Sequence, residues 1–156
     1  MIDQSFSIAK VVSQDAQVDA LLARHFADMR AGSPEESCHV VTADTLRDTG
    51  AHLFALHDKD GAVCAVGAFQ NIDGGVELKS MHTAREARGN GYGRKVLTHL
   101  LSQAKAQGAK QAWLETGTAE SFAPARALYK SVGFETCPPF GNYRTDPLST
   151  FMTLVF

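Results

Sequence analysis

The chain switches between two periods of apolar and polar positions, and the switches mark its elements. Residues 6–12, FSIAKVV, have strand character. From Asp15 the period becomes helical: Val18, Leu21, Leu22, His25, Phe26 and Met29 share one stripe that ends near Gly32 and Pro34. A short helix is expected from Ala43 to Asp48, capped by Thr42. Two apolar runs, AHLFALHD and AVCAVGAFQNI, are joined by KDG as a hairpin, and a DGG turn at 73–75 leads into VELKSMHT, the third strand of a meander. After a glycine-rich segment, Val96, Leu97, Leu100, Leu101 and Ala104 mark an amphipathic helix that stops at Gly108. KQAWLETG is then a strand, Phe122 to Val132 a helix ended by Gly133, and FETC and STFMTLVF the last two strands. Between these, residues 138–148 form a polar, proline-bearing loop, longer than most connections and so expected to be functional.

The predicted order is β-α-α-β-β-β-α-β-α-β-β. The strand-helix-strand step over 76–116 requires a parallel pair, whereas the hairpins are antiparallel. The fold class is therefore α/β with a mixed, α+β-like sheet and helices on both faces. With 156 residues, no internal repeat and no linker, one domain spanning 1–156 is expected.

Composition changes this picture little. A hydrophobic fraction of 44% and a charged fraction of 21% are those of an ordinary globular protein. The formal net charge of -2 argues against a protein built to bind nucleic acid or an anionic membrane. MIDQSFSIAK has no basic stretch followed by an apolar run, and no apolar run approaches the roughly 18 residues of a membrane span, so a cytoplasmic protein is expected. Cys38, Cys64 and Cys137 lack zinc-like spacing and read as free thiols in a reducing compartment, and the six histidines form no HxxxH-like pair, so no metal is expected.

Chemistry concentrates in ARGNGYGRK, residues 87–95. Gly89, Gly91 and Gly93 let the backbone approach a ligand closely at the start of a helix, where unpaired amides and the positive end of the dipole favour an anion. Arg85, Arg88, Arg94 and Lys95 against Glu86 give residues 85–95 a local charge of +3. This is a phosphate cradle by mechanism. Neither a P-loop nor a dinucleotide fingerprint fits, because Arg94 stands where each needs its last glycine. The alternative is a glycine-rich turn with a solvated basic face.

The spacing that fits is Arg-x-x-Gly-x-Gly at Arg88, Gly91 and Gly93. With it the sequence resembles the GCN5-related N-acetyltransferase (GNAT) superfamily. ELKSMHTAREARGNGYGRKVLTHLL is similar to that family's strand-loop-helix element, and ALYKSVGFE to its second acetyl-CoA motif, so the resemblance covers most of the chain from about residue 50. It implies a central, mostly antiparallel sheet whose one parallel pair splays to hold acetyl-CoA as co-substrate. The backbone of Arg88, Gly89, Asn90, Gly91, Tyr92, Gly93 and Arg94 would then hold the pyrophosphate. The pantetheine arm would run along Met81 to Thr83, with the Met81 N–H polarising the thioester carbonyl. Tyr129 matches the tyrosine that protonates the departing thiolate in many relatives. It also lies on the apolar face of its helix with Ala125, Leu128 and Val132, as a core tyrosine would. Phe122 departs from the family pattern, in which many relatives carry Asn.

An attacking amine must first lose a proton. Strand alternation puts Glu77, Lys79 and Met81 on one face and Val76, Leu78 and His82 on the other. Glu77 is the first choice of base, the alternative being a Glu77–Lys79 pair on a solvated edge; Glu115, acting through water, is the second choice. By resemblance, acceptor specificity lies in residues 24–42 and 138–152, where Arg30, Tyr143 and Asp146 are the expected substrate contacts. Their mixed charge suits the primary amine of a small molecule, an amino acid or polyamine fragment; the alternative is an ordinary polar loop. A non-catalytic acyl-CoA sensor on the same fold and a transferase using a longer acyl-CoA are the competing readings. Dimers are common in the family, so a homodimer is a further implied partner state.

Overall fold

The computed structural model describes residues 6–32 and 43–156, with side chains described for 6–28 and 46–156. Thr42, Cys38 and the Arg30 side chain lie outside the described residues. The elements follow the predicted order: β1 (Phe6–Lys10), α1 (Ala16–Gly32), α2 (Ala43–Asp48), β2 (His52–Asp58), β3 (Val63–Ile72), β4 (Gly75–Thr83), α3 (Tyr92–Ala106), β5 (Gln111–Gly117), α4 (Ala123–Ser131), β6 (Glu135–Thr136) and β7 (Ser149–Val155). Short 3-10 turns, Arg85–Ala87 and Glu120–Phe122, precede α3 and α4. Asp15 starts α1 by accepting the N–H groups of Gln17 (3.0 Å) and Val18 (3.2 Å).

One seven-stranded sheet runs in the order β1-β2-β3-β4-β5-β7-β6. Every neighbour pair is antiparallel except β4–β5, as the crossover through α3 demands. This is a mixed α/β fold. Val18, Leu21 and Leu22 of α1 are buried in the core, as are Val96, Leu97, Leu100, Leu101 and Ala104 of α3. The predicted stripes are mostly the buried ones: of the α1 stripe, His25 is partly buried, Phe26 is exposed and the Met29 side chain lies outside those described. Cys64 and Cys137 are free thiols.

Two departures from regular strand geometry shape the centre. The β4–β5 ladder is confined to Val76↔Ala112, Glu77↔Trp113 and Leu78↔Leu114, so the strands part beyond Leu78 and Leu114. Opposite β3, the register slips between Val66↔His82 and Ala68↔Lys79, leaving Ser80 and Met81 against Gly67 alone. Ser80 occupies this bulge at φ 55°, a left-handed conformation uncommon for serine.

The extra residue inverts the alternation. Contrary to the strand-period expectation, Met81 leaves the face of Glu77 and Lys79. Its sulfur lies on the α3 side, 2.6 Å from where a Cβ on Gly67 would sit, beside Val96 and Leu100. His82 takes the opposite side and meets His25 of α1. The sequence expectation for both side chains is thus corrected by one bulge.

Candidate active site

The glycine segment folds as its composition demands. Gly89 (φ 87°) and Gly91 (φ 75°) are left-handed, and Gly91 is the N-cap of α3. No side chain caps this end, and Lys95 N–H to Gly91 C=O, at 3.1 Å, begins the helical ladder. The N–H groups of Tyr92, Gly93 and Arg94 therefore point out of the helix without an intrahelical acceptor. Asn90 braces the loop through Nδ2–H to Ala87 C=O (2.8 Å), and Arg88 Nε–H reaches the Thr83 carbonyl (3.4 Å). Arg94 is oriented by a 2.7 Å bond to Ser131 Oγ at the end of α4. Arg24 grips both oxygens of Glu86 (3.1 and 2.8 Å). That contact chiefly holds the Glu86 carboxyl down at about 2 and leaves Arg88 to face the cleft.

This loop forms one wall of a cleft of about 800 Å³ that runs past Thr83 and Met81 to Phe122, Leu128 and Tyr129. A second cavity of about 130 Å³ is lined by Glu77, Lys79, Glu115, Thr116 and Tyr143, and shares Met81, Phe122 and Tyr129 with the first. The two spaces meet where β4 and β5 part. An elongated anionic ligand fits the large cleft, with amides and arginines at one end and an apolar channel at the other. The small cavity is more polar than the cleft, and it carries the carboxylates.

Tyr129 stands at the junction, 7% exposed, with its ring edge-on to Phe134 (centroids 5.9 Å apart). Burial pushes its hydroxyl up to about 12, so it holds its proton at neutral pH. Glu77 is also 7% exposed. Its Oε2 accepts the Tyr143 hydroxyl at 2.6 Å, and Lys79 Nζ lies 4.0 Å from Oε1. Burial, then the hydrogen bond and charge of Glu77, raise the Tyr143 phenol above the tyrosine range, so it stays a donor. Glu115 accepts Ser149 Oγ–H at 2.6 Å.

Most of the sequence-derived residues are thus brought together; Asn90, which braces the loop, lines neither space, nor does Asp146. Tyr129, Glu77, Met81, Glu115 and Tyr143 line the small cavity; Thr83, Arg88, Gly89, Gly91, Tyr92, Gly93 and Arg94 line the cleft. Asp146 lines neither: it lies in the loop before β7, where its Oδ1 accepts the Leu148 N–H at 2.8 Å. Arg30 lies outside the described side chains. Among the described residues no three His, Cys, Asp or Glu side chains form a metal-binding group.

Sequence reasoning missed the His25–His82 pair. Their Nδ1 atoms lie 3.2 Å apart and both rings line the large cleft. Burial lowers both imidazoles from 6.5 to about 4; for His25 the neighbouring His82 lowers it further and Asp28 opposes the shift. For His82, Asp28 opposes, while Arg88, Arg24 and Arg85 add to the lowering. Between these values the unfolded chain binds more protons than the folded one, so stability is full above about pH 6.5 and is lost as pH falls toward 4. The melting temperature is expected to fall through that window in wild type and to fall less steeply in a His25→Phe/His82→Phe variant. Equal slopes would refute the assignment. The Glu86 contribution is separate, being lost between 4.5 and about 2.

Comparison with known proteins agrees with this arrangement. Residues 18–134 match the Acetyltransferase (GNAT) family. The uncharacterized N-acetyltransferase YsnE of Bacillus subtilis is 37% identical over 138 residues, covering 88% of this chain and 91% of its own. A putative acyl-CoA N-acyltransferase of Klebsiella pneumoniae superposes with a TM-score of 0.78 at 27% identity, covering 95% of each chain. The Salmonella typhimurium acetyltransferase yncA, solved with its cofactor acetyl-CoA, has a TM-score of 0.70 at 19% identity, covering 97% of this chain and 94% of its own. With a splayed parallel pair, a glycine-capped helix start and a match spanning most of the sequence, the chain belongs to the acetyltransferase (GNAT) family and is an N-acetyltransferase.

Proposed function

We propose that the protein moves the acetyl group of acetyl-CoA to the primary amine of a small molecule by direct attack. The observation that carries this reading is the meeting of the two cavities at Tyr129, with a carboxylate on the far side of the smaller one. Acetyl-CoA supplies an acyl carbon activated by a thiolate leaving group. The free amides at Tyr92, Gly93 and Arg94, with Arg88, Gly89 and Gly91 around them and Asn90 bracing the loop, hold the pyrophosphate. Thr83 and Met81, on the edge of β4 that β5 has left, take the pantetheine arm. The Met81 N–H stabilises the developing oxyanion.

Glu77 takes a proton from the acceptor ammonium, and Tyr143 holds that carboxylate in place. As the N–C bond forms and the C–S bond breaks, Tyr129 donates its proton to sulfur. The ammonium gives up two protons overall: one restores Tyr129, and the other leaves through Glu77 to water. The acetyl group is favoured over longer acyl chains because the 130 Å³ cavity must also admit the acceptor.

Acetyl-CoA and free CoA are expected to stabilise the purified protein, while NAD and ATP are not. The increment is about 2.7 kcal/mol at a hundredfold excess over Kd. Thiol release in the presence of small amines is then expected to fall at least about a hundredfold in Glu77→Gln at neutral pH. Undiminished turnover would transfer the base role to Glu115. No thermal shift with either CoA species would end the reading.

A further inference from the structure

Resting on that reading, we infer that Lys79 is a carboxylate-binding residue and that the acceptor is an amino acid bearing a free carboxylate, not a polyamine. Lys79 sits on a central strand with a side chain only 30% exposed. An ammonium there has three N–H donors to satisfy. Among the described residues it makes no hydrogen bond, and its one ion-pair partner, Glu77 Oε1, stands 4.0 Å away, beyond hydrogen-bond reach. Glu77 is meanwhile engaged through its other oxygen by Tyr143. The cavity thus presents a carboxylate held by Tyr143 and a partly buried ammonium with unused donors, side by side. Partly buried charge of that kind calls for a charged, hydrogen-bonding partner.

An α-amino acid supplies both complements within two bonds. Its ammonium faces Glu77, the proposed base, and its carboxylate takes the Lys79 donors, which points the amine nitrogen toward the Met81–Tyr129 junction. A polyamine would place its second ammonium against Lys79. The alternation argument explains why both groups lie on one face: Glu77 and Lys79 precede the bulge at Ser80, so their two-residue spacing is intact.

The experiment compares phenylalanine, leucine and methionine with their decarboxylated counterparts phenethylamine, isoamylamine and 3-(methylthio)propylamine, using acetyl-CoA as donor. Wild type is expected to favour the amino acids roughly 10- to 100-fold in kcat/KM, the range set by a charge-assisted hydrogen bond. Lys79→Met should bring that ratio close to one by raising the amino acid KM, with the KM for acetyl-CoA unchanged, and Lys79→Arg should retain most of the preference. A wild-type ratio near one, or a ratio that Lys79→Met leaves intact, overturns the proposal. A second readout does not depend on turnover: with CoA bound, the amino acids should raise the melting temperature of wild type but not of Lys79→Met, and no such shift in wild type also overturns it. Failure of the underlying reading looks different, since then neither the amino acids nor the amines would be acetylated.

Discussion

Gly91→Glu is expected to raise the KM for acetyl-CoA roughly a hundred- to a thousandfold while the protein remains folded. Two effects act at this position, and they separate. Gly91 is left-handed at φ 75°, which costs an L-residue about 1–2 kcal/mol. A Cβ there meets no atom within 4 Å, so packing adds nothing to that strain. In a protein of this size about 1 kcal/mol lowers Tm by roughly 2–4 °C. Gly91→Ala therefore carries the strain alone and should lose a few degrees in both free and ligand-bound forms. The glutamate adds a negative charge at the mouth of the helix, where the amides of Tyr92, Gly93 and Arg94 await a phosphate. Two like charges about 4 Å apart at an effective dielectric of about 20 repel by about 4 kcal/mol, which sets the size of the KM change. Isothermal titration of wild type, Gly91→Ala and Gly91→Glu with acetyl-CoA reads the two contributions apart. Equal affinity in wild type and the glutamate variant would mean that the pyrophosphate lies elsewhere.

The glycine segment was legible because its physics is local. A left-handed cap, free amides and clustered arginines are properties of eleven consecutive residues, and nothing distant alters them. The order of strands and helices was legible for a related reason: turns at KDG and DGG and stripes such as Val96–Leu97–Leu100–Leu101 declare themselves within one window. The parallel pair followed from the single helix between two strands. What stayed hidden was longer-ranged or unsignalled. Ser80 is neither Gly nor Asn, so nothing marks the left-handed residue that bulges β4. That one residue exchanged the faces of Met81 and His82. His25 and His82 are 57 positions apart, and only the packing of α1 on β4 joins them.

Glu77 and Tyr143 illustrate partial legibility. Each was singled out, Glu77 as a charge on a central strand and Tyr143 as part of a long loop, yet their 2.6 Å bond links positions 66 residues apart. Asp146 was singled out as a substrate contact, and its side chain also makes a local bond. An aspartate two residues before a main-chain N–H it can reach favours a local turn, and the bond to Leu148 is such a turn. A local hydrogen bond was available to it all along; an acceptor's ammonium was only one competitor.

Tyr129→Phe is expected to lower kcat by about 10² to 10⁴ with little change in the KM for acetyl-CoA. The ring is what packs: it is buried, edge-on to Phe134, and borders both cavities. Phenylalanine keeps that surface, so Tm should stay within about 2 °C of wild type, and a tyrosine serving only the core would leave kcat unchanged as well. The hydroxyl, at about 12, is a weaker acid than free tyrosine, which at first sight disfavours proton donation to a thiolate. The same burial acts on the leaving sulfur, however. A thiolate released at this junction loses water as a phenolate would, and its affinity for a proton rises in step. The mismatch between donor and acceptor is therefore smaller than solution values imply, and a donor that never ionises near neutral pH is always loaded. On this account kcat of the wild type shows no loss on the alkaline side through pH 9, because Tyr129 does not titrate there. An alkaline limb in wild type that Tyr129→Phe abolishes would place its ionisation in the working range, and the shielding argument would fall.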